Sequence, residues 1–131
     1  MMLLSDVREW LKTFGVGEHF HVGKLDGKKE KSIGIYQRKS SGPLTMAIGG
    51  PENKKYDVKR ISILIHWTKN ARETEIASLS LFEKIMNLKN VTIGQTRVNY
   101  IGLMVPEPQD VGTDAAGVYE RVIWLDLYYE R

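Results

Sequence analysis

Val118-Tyr119-Glu120-Arg121-Val122-Ile123-Trp124-Leu125-Asp126-Leu127-Tyr128-Tyr129 is the longest stretch of this chain that reads as β-strand, with apolar and aromatic residues recurring along it. Just before it stands a connection rich in turn residues, Pro106-Glu107-Pro108 and then Gly112-Thr113-Asp114-Ala115-Ala116-Gly117. Within that connection, Asp114 is expected to bond its own turn backbone, and Gly117 to supply a positive φ. Further upstream, Val91–Arg97 and Asn99–Val105 read as strand, interrupted at Gly94 and Gly102. Lys59 to Trp67 alternates cleanly, with Ile61, Ile63, Ile65 and Trp67 on one face and Ser62, Leu64 and His66 on the other, which predicts a central strand.

Two segments have helical spacing instead. Val7, Trp10, Leu11 and Phe14 fall at i, i+3, i+4 and i+7, predicting a helix over 3–14 with Ser5 as its cap and Gly15 ending it in a left-handed turn. Asn70 and Glu73 have capping-box spacing, which predicts a second helix over 71–88 terminated near Asn90. Its packing stripe is read as Ser78, Leu79, Phe82, Ile85 and Met86, widened by Ala77 and Leu81. His19 to Val22 and Ser32 to Gln37 are read as two short strands forming a hairpin around Asp26-Gly27. Leu44 to Ile48 is a further short strand, and Gly49 to Lys55 a polar loop.

Helix, strands, helix, strands with hairpin-type spacing predicts an α+β fold, an antiparallel or mixed β-sheet with two α-helices packed on one face. At 131 residues the whole chain, 1–131, is expected to be one domain. The uncovered sheet face would carry Leu64, His66 and part of the Val118–Tyr129 ladder. An apolar sheet face left to water points to assembly.

Composition narrows the chemistry. Without cysteine there is no disulfide, thiolate nucleophile or cysteine-ligated metal. No apolar stretch approaches the roughly 18 to 20 residues of a membrane helix. Asp6, Arg8, Glu9 and Lys12 interrupt the apolar opening before a signal-peptide core forms, so the chain is expected to stay in the cytoplasm of the cell that makes it. A net charge of +3 from 19 basic and 16 acidic residues is a weak basic excess compared with that of a dedicated DNA-binding domain.

No catalytic motif stands out. His19-x-His21 would place two imidazoles on one strand face, a half-site for a metal that His66 alone does not complete, and no metal or cofactor is expected. His66 reads as a partly buried, hydrogen-bonded strand residue. Ser62, Ser78 and Ser80 lie outside any Gly-x-Ser-x-Gly elbow, and the pairs Glu107/Asp110 and Asp110/Asp114 lack the spacing of a calcium loop. The lysine-rich segments Lys24–Lys31 and Lys54–Arg60, with Tyr36 and Tyr56 nearby, suggest an alternative reading as a small basic nucleic-acid-binding module.

The connection Gly112-x-Asp114-x-x-Gly117-x-Tyr119-Glu120, the Trp67-x-x-Asn70 approach to the second helix and the closing YERVIWLDLYYER at 119–131 together resemble the minor capsid and tail-terminator proteins of the neck of long-tailed bacteriophages and prophages. The likeness runs in order along nearly the whole chain. It implies a non-enzymatic structural protein of the virion that assembles as a ring, commonly a hexamer. Such a ring ends the tail tube and joins it to the head-completion proteins, with DNA passing through the lumen without sequence-specific binding. Subunit or partner contacts are expected at Pro106, Asp114, Tyr119, Trp124 and Tyr128. The loops bearing Lys28, Lys29, Lys31, Lys54 and Lys55 are candidates for the lumen or for partner contact.

Overall fold

The computed structural model describes residues 2–25, 27–39 and 56–130. Among them the element order is α1 (Leu4–Lys12), β1 (His19–Val22), β2 (Ser32–Gln37), β3 (Tyr56–His66), α2 (Ala71–Met86), β4 (Val91–Ile93), β5 (Thr96–Leu103), β6 (Gln109–Thr113) and β7 (Tyr119–Glu130). The fold is α+β, as the patterning predicts. A mixed sheet of order β1-β2-β3-β7-β5-β4, with β6 also on β7, is covered on one face by both helices. The 44–48 strand, the 49–55 loop, Lys54 and Lys55 lie outside the described residues.

β3 and β7 pair antiparallel along almost their full length, from Tyr56↔Glu130 to His66↔Glu120. Their alternation sorts the sheet into two faces. Ile61, Ile63 and Ile65 of β3 and Ile123, Leu125 and Leu127 of β7 are fully buried under the helices, joined by Ile33 and Ile35 of β2. From α1 come Val7, Trp10 and Leu11, and from α2 come Leu81, Phe82 and Ile85. Burial of one such side chain contributes about 1.5–3 kcal/mol, so this layer is the main source of stability.

Several local expectations need correction. The first turn of α1 is capped by Asp6, whose carboxylate accepts from the Leu3 backbone N–H at 3.0 Å, rather than by Ser5. An acid at this position also meets the positive end of the helix dipole. Gly15 does adopt the left-handed turn, at φ 73°, three residues beyond the last residue of α1. α2 begins at the expected cap, with Asn70 Oδ1 accepting from the Glu73 N–H at 3.1 Å, while Glu73 Oε2 accepts from the Thr68 hydroxyl at 3.2 Å. Its buried stripe is Thr74, Ser78, Leu81, Phe82 and Ile85, and Met86 is exposed. The helix stops at Asn87, and Asn90 instead takes a positive φ of 53° in the turn into β4.

β1 and β2 do not form a hairpin: they run parallel, from His19↔Ser32 to Val22↔Ile35. After β1, Leu25 packs over Gly34 of β2 on the face away from the helices, and the Lys31 carbonyl takes the Glu18 N–H at 2.8 Å, so that β2 starts level with the start of β1. Parallel neighbours usually require a dozen or more connecting residues. A shorter return is enough here because β1 has four residues and spans only about 13 Å.

The region read as a loop over 106–117 contains β6, which pairs with the first third of β7, from Thr113↔Tyr119 to Gln109↔Val122. β5 pairs with the last part of β7 along the same edge, so β5 and β6 are one long strand broken by an arch, Met104–Pro108. Along that arch, six steps from Leu103 to Gln109 face only three steps of β7, from Leu125 to Val122, and the surplus bulges outward. Gly102 does not interrupt β5. A Cβ there would meet the Tyr100 ring at 3.4 Å and the Tyr128 ring at 3.6 Å, ordinary contact distances.

Candidate assembly surface

The face of the sheet away from the helices carries the even-numbered residues of β3 and β7, in the cross-strand pairs His66/Glu120, Leu64/Val122, Ser62/Trp124, Arg60/Asp126 and Val58/Tyr128. The helices leave this face uncovered. Three tyrosines from three adjacent strands meet at one end: Tyr128 of β7 lies 6.1 Å, ring centre to ring centre, from Tyr56 of β3 and 5.4 Å from Tyr100 of β5. Tyr56 is 53% exposed, Tyr100 61% and Trp124 44%. Large aromatics standing on rigid strands in water form a surface of the kind enriched at the centres of protein interfaces.

A buried ion pair anchors the middle of the face. Asp126 is buried and is gripped by the Arg38 guanidinium, which arrives from just beyond the end of β2. Arg38 also lies 5.5 Å from the centre of the Trp124 ring, a cation–π arrangement, and Arg60 Nε stands 4.0 Å from the second Asp126 oxygen. Sequence reading missed this cluster, because Arg38 and Asp126 are 88 residues apart and only the β2-β3-β7 order brings them together.

At the other end of the face His66, only 2% exposed, lies between two carboxylates. Its Nδ1 is 3.0 Å from Glu120 Oε2 and its Nε2 is 3.7 Å from Asp114 Oδ2. Asp114 behaves as the turn chemistry predicts: its Oδ1 accepts from the backbone N–H of Ala116 and of Val118, both at 2.9 Å, and Gly117 has φ 87°. The Val118 hydrogen bond is the main reason that the Asp114 carboxyl is held below the ordinary aspartate range; the Ala116 bond and the nearby His66 act in the same direction, against the opposing effect of burial. The cluster clamps the β6–β7 turn onto β3. Its imidazole is closed off from solvent, more fully buried than the alternation implied.

The remaining expected residues separate. Trp124 and Tyr128 share the bare face, whereas Tyr119 alternates onto the helix side, half-buried, and its backbone extends the ladder by bonding Trp67 and Thr68. Pro106 is exposed on the arch. Lys28 and Lys29 are exposed in the β1–β2 connection, and Lys31, half-buried, is held at φ 55°. His19 and His21 do share the bare face, in rows with Ser32 and Gly34, and no group of three or more metal-ligating side chains forms among the described residues. Ser78 is buried, its hydroxyl donating to the Glu75 carbonyl at 3.0 Å. On the helix side a hollow of about 410 Å³ opens between Gly15–Gly17 and α2, lined by Trp67, Ile76 and Ala77, with Lys31 and Glu73 among its polar residues.

No helix among the described residues is long and apolar enough to cross a membrane. A scan against protein-family models and a search of curated proteins returned no match to this chain.

Proposed function

We propose that this chain is a non-enzymatic structural protein of the neck or tail end of a long-tailed phage or prophage, made in the bacterial cytoplasm and incorporated into the virion. In this reading it assembles as a ring, six copies being the number the resemblance implies. The ring ends the tail tube and joins it to the head-completion proteins while DNA passes through the lumen. The observation that carries the proposal is the bare sheet face. Its aromatics are exposed to water, yet Trp124 lies against the ion-paired Arg38 guanidinium and the three tyrosine rings lie against one another. Pre-set aromatic anchors suit protein contact, because little side-chain freedom remains to be lost on binding.

Light scattering across a concentration series, followed by negative-stain imaging, tests the ring. Closed particles of uniform subunit number support it, and a monomer throughout the series speaks against it. Trp124→Lys should abolish docking of a tube or head-completion protein on this face while leaving the fold intact, because Trp124 is already 44% exposed.

The tyrosine row gives the second reading a specific basis, since bases of a single strand stack on such a platform and Arg60 stands in the neighbouring row of the same face. Anisotropy titration with labelled single-stranded DNA separates the two. Salt-dependent binding lost in Tyr100→Ala would favour the nucleic-acid module, and no binding at low salt would dismiss it.

A further inference from the structure

The half of the sheet that carries His66 has five strands in the order β1-β2-β3-β7-β6, and single residue rows cross all of it. One row is His19–Ser32–His66–Glu120–Gly112 and another is His21–Gly34–Leu64–Val122–Gln109. Its two outermost strands are short and of matched length, four residues in β1 and five in β6. Neither has a strand partner on its outer side among the described residues. Strand edges offer unpaired backbone N–H and C=O groups, and proteins ordinarily protect them with lysine, proline or a covering element. β6 has neither lysine nor proline and all five of its residues are exposed; its one irregularity is a bulge at Val111, between Asp110↔Arg121 and Gly112↔Glu120, which leaves Val111 52% exposed.

The two edges also differ in charge. From Val98 to Glu120, the stretch containing β6, the sequence has Glu107, Asp110, Asp114 and Glu120 and no lysine, arginine or histidine; Asp114 and Glu120 face His66, and Arg121 of β7 lies opposite Asp110. Glu107 and Asp110 are exposed beside the free edge. The connection following β1, residues 23–31, has Lys24, Lys28, Lys29 and Lys31 against Asp26 and Glu30.

We propose that copies of this chain join edge to edge, β6 of one copy pairing with β1 of the next, with the acidic β6 flank set against the lysine-bearing connection. This rests on the ring reading above and names the contact that builds it. Strand directions permit the join: β6 runs with β3, and β1 runs with β2 and β7, so the two edges meet antiparallel and each row continues into the next subunit. Since the two edges are different surfaces, the contact is heterologous, the type that closes into rings. Lys28 and Lys29 are thereby assigned to the contact between copies rather than to the lumen. The aromatic face stays available for the tube or the head-completion proteins.

The absence of cysteine makes the test clean. A Val22→Cys/Val111→Cys chain treated with a short bis-maleimide should give a covalent ladder ending at the ring's subunit number. Ile76→Cys/Val111→Cys, whose first site lies on α2, should not. Val111→Lys protects the edge at an already exposed position, and like-charge contacts across an interface are strongly unfavourable. It should raise the concentration for half-assembly about tenfold or more, with an unchanged far-UV spectrum, and Val111→Thr should assemble normally. Lys28→Glu/Lys29→Glu should impair assembly similarly. If the unmodified chain assembles but none of these variants changes it and both cysteine pairs behave alike, the edge assignment is overturned and the ring reading survives. If the unmodified chain stays monomeric and the Val22→Cys/Val111→Cys chain gives no ladder, both fall.

Discussion

Removing the positive charge of Arg38 should destabilise the protein through the partner it leaves behind. The Asp126 side chain is 7% exposed and that of Arg38 17%, so Arg38→Met strands a buried carboxylate, whereas Asp126→Asn leaves a guanidinium that still reaches water. Losing one member of a fully buried pair costs about 3–5 kcal/mol. The partial exposure of Arg38 and the presence of Arg60 Nε at 4.0 Å reduce this to about 2 kcal/mol for Arg38→Met. Asp126→Asn should cost about 1 kcal/mol, on the same reasoning. Because an apolar pair of similar volume satisfies itself, Arg38→Met/Asp126→Leu should lie within about 1 kcal/mol of the parent chain. With a urea dependence of about 2 kcal/mol per molar, Arg38→Met should lower the unfolding midpoint by about 1 M, and the double variant should recover most of that loss. Far-UV circular dichroism in urea, on the parent, the singles Arg38→Met and Asp126→Leu, and their double, closes the cycle. If the single effects add to the double within about 0.5 kcal/mol, the two groups are not coupled and the account of the bare face is wrong.

Other outcomes follow from the same structure. Asp114 has its folded-state carboxyl depressed, so its contribution is present above the unfolded aspartate value and is lost as pH falls through the lower folded one. Asp114→Asn, which keeps an oxygen acceptor for Ala116 and Val118, should therefore flatten stability against pH on the acid side of about pH 4 and leave the neutral region less affected. Ile63→Ala, at a fully buried position in the middle of β3, should cost about 3 kcal/mol in urea unfolding. Asn70→Ala removes the acceptor for the Glu73 N–H and should cost about 1 kcal/mol, with the first turn of α2 exchanging its amides faster. Gly94→Ala puts a Cβ about 2.9 Å from Asp6 Cγ at a φ of 63°, so it should cost about 1–3 kcal/mol and loosen the cap of α1 as well as the β4–β5 turn.

What the amino-acid order determined unaided is whatever a residue settles with near neighbours: α1 and α2, the alternation of β3 and β7, the Asn70 cap, and the Asp114–Gly117 turn. Each depends on bonds or packing periods within a few positions, and so survived into the tertiary structure with shifts at the ends. The parallel run of β1 beside β2 was not legible, because a short return and a hairpin look alike until the Lys31 carbonyl is seen to bond Glu18. β6 was hidden for a related reason. Its Gly and Asp have low strand propensity, and it is a strand only because β7 supplies the ladder. The Arg38–Asp126–Trp124 cluster, the bracketing of His66 and the opposed edges of β1 and β6 join residues far apart in the chain. Such contacts exist only once the strand order is set, and that order is decided by which apolar faces the sheet and helices bury together rather than by any local pattern.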